Sequence, residues 1–173
     1  AVSEGSGSTG ITASSSTNFT IGGSQDYVNT NTGAYVSYLW RVNGGTTSAL
    51  NDGDINATGQ INQTHGCGVL LYTGDGGSSN VTMAHGMGSK PEFMWLKDRD
   101  SNGNNNQWGA WHTSMQDDYY MYLSDTAAEA SSSNGPIDTS NVTDSLLAWL
   151  RTSTSGGSQT RFENGDNFII YQF

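Results

Sequence analysis

The residues best suited to chemistry form a run of oxygen donors: Asp98-Arg99-Asp100-Ser101-Asn102-Gly103 spells D-x-D-x-N-G. Oxygen ligands at positions 1, 3 and 5, followed by a glycine for the sharp turn, suit a hard cation. Asp98, Asp100 and Asn102 are therefore the expected ligands of a Ca2+ ion. The second half of the loop departs from that pattern, because the twelfth position is Gly109, where a bidentate glutamate belongs. Asp and Asn are also natural residues of a long hairpin loop, so a solvated turn is the competing reading. A second group is aromatic: Trp108, Trp111, Tyr119, Tyr120 and Tyr122 crowd into one third of the chain. An exposed ring can stack on a sugar while nearby Asn and Asp bond its hydroxyls. Trp108, Trp111, Tyr119 and Tyr120 are the expected glycan platform, set against the alternative that these rings fill a core. Trp108 and Trp111 are three apart, which places them on opposite faces of a strand.

Other chemistry is thinly represented. His65, His85 and His112 share no ligand spacing, and Cys67 has no second cysteine to pair with. Serines are plentiful, yet no strand–G-x-S-x-G–helix elbow occurs. Asp117, Asp118, Asp125 and Glu129 lack the apolar seclusion that tunes a catalytic carboxyl. Gly5 to Gly10 match G-x-G-x-x-G by letter, but follow no strand and open no helix. His85, just before Gly86, is expected to bond backbone rather than substrate. These observations predict a protein that is not an enzyme and needs no cofactor beyond the calcium considered above.

The elements that must hold these residues follow from composition. The chain has 173 residues and a formal charge of −10, with six Lys and Arg together. Phosphate binding needs a basic stripe, so neither nucleic acid nor an anionic membrane is expected as a partner. Gly, Ser, Thr and Asn make up nearly half the chain, a mixture that competes with helices and suits turns and solvated strand faces. Against disorder stand 5 Trp, 8 Tyr and 5 Phe. No apolar run approaches the roughly 20 residues of a membrane-spanning helix, and no basic region followed by an apolar stretch opens the chain.

Short runs with strand chemistry, bounded by Gly, Asn, Asp, Ser or Pro, lie at 35–40, 68–73, 80–84, 92–97, 107–112, 119–123 and 167–173. The run at 92–97 is apolar on both faces and should be central. Residues 146–150 read as a strand or one helical turn. Gly86 and Gly88 can take positive φ and Pro91 fixes the chain beyond them, which makes a tight connection. The predicted fold is all-β, an antiparallel β-sandwich of jelly-roll-like type with little helix.

An internal similarity shapes the expected domain plan. Residues 21–40 and 155–173 both carry G-G-S-Q, then an aromatic (Tyr27, Phe162), a polar turn and a closing apolar-aromatic strand. On this reading 1–16 is a flexible linker or arm, and 17–50 is the closing hairpin of a preceding repeat plus a bridge, packed on the next unit. Residues 51–173 are then a whole β-sandwich repeat.

The segments 35–48 (YVSYLWRVNGGTTS), 68–100, 107–115 (QWGAWHTSM), 119–133 and 164–173 (NGDNFIIYQF) carry a resemblance. Its sharpest part is a strand, an H-G-M-G-x-x-P turn, a second strand and K-x-R, at residues 81–99. In these residues the chain resembles a domain that recurs in tail-fibre and other virion-surface proteins of bacteriophages, particularly marine ones. The resemblance implies a non-enzymatic module of a tail fibre or virion appendage at the virion surface, an extracellular setting. It also implies contact with a host cell-surface glycan or protein, neighbours among other virion proteins, and a homo-oligomer, with a trimer as the family-level expectation. Loops 98–107 and 113–118 are the expected contact points. Three rivals are a capsid decoration or capsid-fibre subunit without a receptor role, a secreted carbohydrate-binding module, and a hydrolase such as a depolymerase.

Overall fold

The structure, a computed structural model, describes residues 10–22, 31–42, 46–77, 79–100, 108–117, 119–123, 126, 128–131, 134–151 and 163–173. These fall into two units that meet in sequence at Trp40 and Arg41, and each is described by itself.

The larger unit is a β-sandwich, and no helix occurs among the described residues. Its main sheet joins eight antiparallel strands: β3 (Ser48–Leu50), β4 (Ala57–Asn62), β5 (Cys67–Thr73), β7 (Phe93–Asp98), β8 (Gly109–His112), β9 (Tyr119–Tyr122), β10 (Ala130–Ser131) and β13 (Asn167–Gln172). Their order across the sheet is β10-β9-β8-β7-β13-β5-β4-β3. A second sheet has three strands in the order β11-β12-β6: β6 (Val81–Ala84), β11 (Asn134–Ile137) and β12 (Leu146–Arg151). The expectation of an antiparallel β-sandwich therefore holds, with the two sheets unequal in size.

Alternation explains the packing. In β13, Phe168, Ile170 and Gln172 are buried while Ile169 and Tyr171 are half-buried on the other face. Register carries the same face into its neighbours: Phe168 lies opposite Tyr72 and Ile170 opposite Leu70. On the other side Ile170 lies opposite Leu96 and Gln172 opposite Met94. Leu147 and Trp149 of β12, with Val81 and Met83 of β6, complete the core from the smaller sheet. The Tyr72 ring stacks on Phe168 at 5.0 Å and meets Trp149 at 6.5 Å across the sandwich. The run at 92–97 is central, as expected, with β13 on one side and β8 on the other. Residues 146–150 form a strand, paired with β6 from Leu146↔Ala84 to Trp149↔Val81.

The H-G-M-G-x-x-P turn also matches its reading. Gly86 and Gly88 have φ of 69° and 74°, and Pro91 is buried. His85 is fully buried; its Nδ1 accepts from Met87 N–H at 3.3 Å and its Nε2 lies 3.2 Å from the Thr143 carbonyl. An accepting Nδ1 leaves the proton on Nε2, facing that carbonyl, so the ring is neutral. Burial pushes its pKa down, against upward pulls from the Thr143 carbonyl and the Asp144 charge.

The smaller unit contains a two-stranded antiparallel ribbon, β1 (Gly10–Ser14) and β2 (Phe19–Gly22). Ser15 closes its turn by donating to Asn18 and accepting from the N–H groups of Thr17 and Asn18. Within the segment expected as a flexible linker or arm, residues 10–14 are a paired strand, while 1–9 lie outside the described residues. The expected strand at 35–40 is also not formed. Residues 33–40 have no ladder, and Tyr35, Val36, Tyr38, Leu39 and Trp40 are exposed. Its counterpart β13 is a strand because β5 and β7 flank it. Among the described residues 10–40, the only ladder is the β1–β2 pair. Local similarity therefore does not reproduce the same structure.

Candidate functional site

A polar cleft of about 570 Å³ opens where the loop between β3 and β4 faces the ends of β5 and β13. Loop residues Asn51, Asp54 and Asn56 and strand residue Thr58 form one wall; Thr73, Asp75, Arg99 and Asn167 form the other. Leu71, 38% exposed, supplies apolar surface beside Thr58, its cross-strand neighbour. The rings of Tyr72 and Phe168 also reach the cleft lining but belong to the core.

Both walls are held by hydrogen bonds rather than by sheet alone. Asp54 N–H and Ile55 N–H both donate to the Thr82 carbonyl, at 2.9 and 3.1 Å. Asp54 Oδ2 accepts from Thr82 N–H and Thr82 Oγ1, each at 2.8 Å. Gly53 and Ile55 both bridge to Met83, so this loop is in effect a bent extra strand beside β6. Gly53 has φ 131°, and a Cβ there would come within 3.0 Å of Met83 Cα and the Thr82 carbonyl. Only glycine fits. On the far wall, Thr73 Oγ1 bonds Asn167 Oδ1 at 3.1 Å. Asp100 Oδ2 then accepts from Asn167 N–H at 2.7 Å and Nδ2 at 3.0 Å. Arg99 N–H donates to the Asn167 carbonyl at 2.8 Å.

The whole chain, residues 1–173, matches the family described as Domain of unknown function (DUF7483). The chain belongs to that family. No curated protein and no solved structure matches it. What a DUF7483 chain does must therefore be argued from its residues.

The expected calcium ligands do not converge as a loop. Asp98 Oδ1 accepts from Asp100 N–H at 2.8 Å, and Asp100 Oδ2 is taken by Asn167. Asn102 lies outside the described residues. The carboxylates that do approach Asp98 are those of Glu163 and Asp166, all within 4.8 Å of one another. Burial raises the Asp98 pKa; the Asp100 N–H bond and Lys97 lower it, while the Asp166 and Asp100 charges raise it further. Three carboxylates at one corner of a chain with charge −10 are not by themselves a metal centre, and the calcium reading stands without support from this geometry.

The expected glycan platform is corrected in part. Trp111 is 3% exposed and pairs with Met94 on the inward face, so it is a core residue and leaves the platform. Its Nε1 is buried with no hydrogen-bond partner among the described residues. Tyr120 shares that face by alternation with Tyr122, whose ring it meets edge-on at 5.1 Å, and is half-buried. Trp108 and Tyr119 are half-buried as well, and the Trp108 ring lies 5.8 Å from Tyr171 on the outer face. The two tryptophans do occupy opposite faces, as their spacing requires. Exposed aromatic rings occur instead in the smaller unit, where Tyr38 and Trp40 stack at 6.3 Å. Of the expected contact loops, 113–117 form a turn held by Met115 N–H to His112 O at 2.9 Å, and 101–107 and 118 lie outside the described residues.

Sequence reasoning missed the cleft because its residues are scattered over positions 51 to 167. The local mark of it is Asn51-Asp52-Gly53-Asp54, an acidic turn whose glycine bridges to Met83.

A second cleft, of about 620 Å³, is lined by Arg41, Ser48, Leu50, Ile61, Asn62 to His65 and Gly86, with no carboxylate. Asn62 Nδ2 and Cys67 Sγ both reach the Arg41 carbonyl, at 3.0 and 3.7 Å.

Proposed function

We propose that this DUF7483 chain is a non-enzymatic structural module of a phage tail fibre or other virion appendage, displayed at the virion surface, and that it contacts a host cell-surface glycan or protein. The observation that carries this reading is the polar cleft. Its walls are fixed by backbone and side-chain hydrogen bonds, and its lining is amides, hydroxyls and carboxylates. A β-sandwich offers such a site cheaply, because the ladder supplies rigidity and the loops supply contact groups. The sequence resemblance at 81–99 supports the virion setting, and the charge of −10 disfavours nucleic acid as the partner. Other virion proteins are its expected neighbours, with the chain in a homotrimer.

Immunogold labelling of virions that encode the chain tests this. Label on tail appendages is the expected result. Label on the capsid lattice turns the reading into a decoration subunit, and unlabelled virions overturn the virion setting altogether.

A further inference from the structure

We infer that the cleft between the Asn51–Asn56 loop and the β5 and β13 ends binds one neutral pyranose ring. This deepens the proposed contact role and rests on the cleft being its contact site, but not on the virion setting.

The argument begins with which groups are engaged. Asp54 is committed to Thr82, and Asn167 to Thr73 and Asp100. The exposed side chains of Asn51, Asn56 and Thr58 make no hydrogen bond among the described residues, although the backbone around them is pinned to β6 and β5. Two amides and a hydroxyl on a fixed frame therefore point to a ligand that both donates and accepts. A sugar hydroxyl does both, and it can replace the water that such groups otherwise hold.

Charge narrows the class. Asp54 and Asp75 outnumber the one cation in the lining, Arg99, within a chain of net charge −10. A carboxylated or phosphorylated ligand would meet net repulsion there. The exposed Leu71 beside Thr58 offers apolar surface for the C–H face of a ring. The cleft volume has ample room for a pyranose ring with its waters.

The test titrates the full-length chain, followed by amide NMR, with methyl glycosides of glucose, galactose, mannose and N-acetylglucosamine. Glucuronic acid and N-acetylneuraminic acid serve as charged probes. At least one neutral glycoside is expected to shift the amides of residues 51–58 and 71–75. Asn56→Ala is expected to weaken that binding about 3- to 10-fold, the usual range for one lost hydrogen bond. Arg41→Ala, in the other cleft, is expected to leave it unchanged. Asn56 is exposed, and an unchanged melting curve for Asn56→Ala confirms that the fold is intact. The inference is overturned if only the charged sugars bind, if no neutral glycoside shifts these amides, or if binding survives Asn51→Ala/Asn56→Ala and is lost with Trp40→Ala. Sugar binding without virion labelling would sink the virion setting alone; labelled appendages without sugar binding would sink this inference alone.

Discussion

Single residues carry the most decisive consequences. The Asp98 carboxyl has its pKa raised above the ordinary 3.8, first by burial. A raised folded pKa means the native state favours the protonated form. The contribution to stability is therefore fully present below about pH 3.8 and is lost as pH rises through the folded value. Asp98→Asn keeps an acceptor for Asp100 N–H and removes the buried charge, so at pH 7 this variant is expected to melt above the parent, with the gap closing towards pH 3. His85 has the opposite sign. Its pKa is pushed below 6.5, so its contribution is present above pH 6.5 and is lost as pH falls through the folded value. NMR titration of the ring should show it mostly neutral at pH 6.5, where a free imidazole is half protonated. Gly53→Ala places a Cβ against Met83 and Thr82 backbone at φ 131°. It is expected to cost about 1–3 kcal/mol in urea unfolding and to disturb the cleft wall with it.

At the scale of elements, the core is shared between the two sheets, and its largest members are predictable points of failure. Trp149 is 1% exposed and Phe168 is fully buried. Either residue changed to Ala is expected to lose about 3–5 kcal/mol, read as a lower urea midpoint with an unchanged slope. Much of this layer was legible in the sequence, because β5, β6, β7 and β13 announce themselves by Val, Ile, Leu and aromatic alternation between Gly and Asn turns. β4 was not legible: Ala57-Thr58-Gly59-Gln60-Ile61-Asn62 has the polar content of a loop, and becomes a strand through its six-residue register with β5. The opposite error arose at 35–40, where strand-forming residues have no ladder to join. A strand is made by its neighbours as much as by its own residues. The cleft was illegible for a related reason, since Asn51 and Asn167 meet only once the sheet order is known.

For the molecule as a whole, 16 acidic groups against six Lys and Arg dominate the long-range electrostatics. Self-repulsion of this size opposes compaction and is screened by ions. Raising sodium chloride from about 10 mM, where the Debye length is roughly 30 Å, to about 1 M, where it is roughly 3 Å, is expected to raise the melting temperature. A melting point that is flat or falls with salt would show that local pairs outweigh the global field. Sheet order has a consequence of its own. β13 lies between β5 and β7, yet both of those strands precede it in sequence. During synthesis on the ribosome, the halves β3–β5 and β7–β10 emerge with their facing edges bare, and the final staple arrives late. That interval favours aggregation. A chaperone, or a neighbouring nascent chain that lends its own strand, would find its opening there.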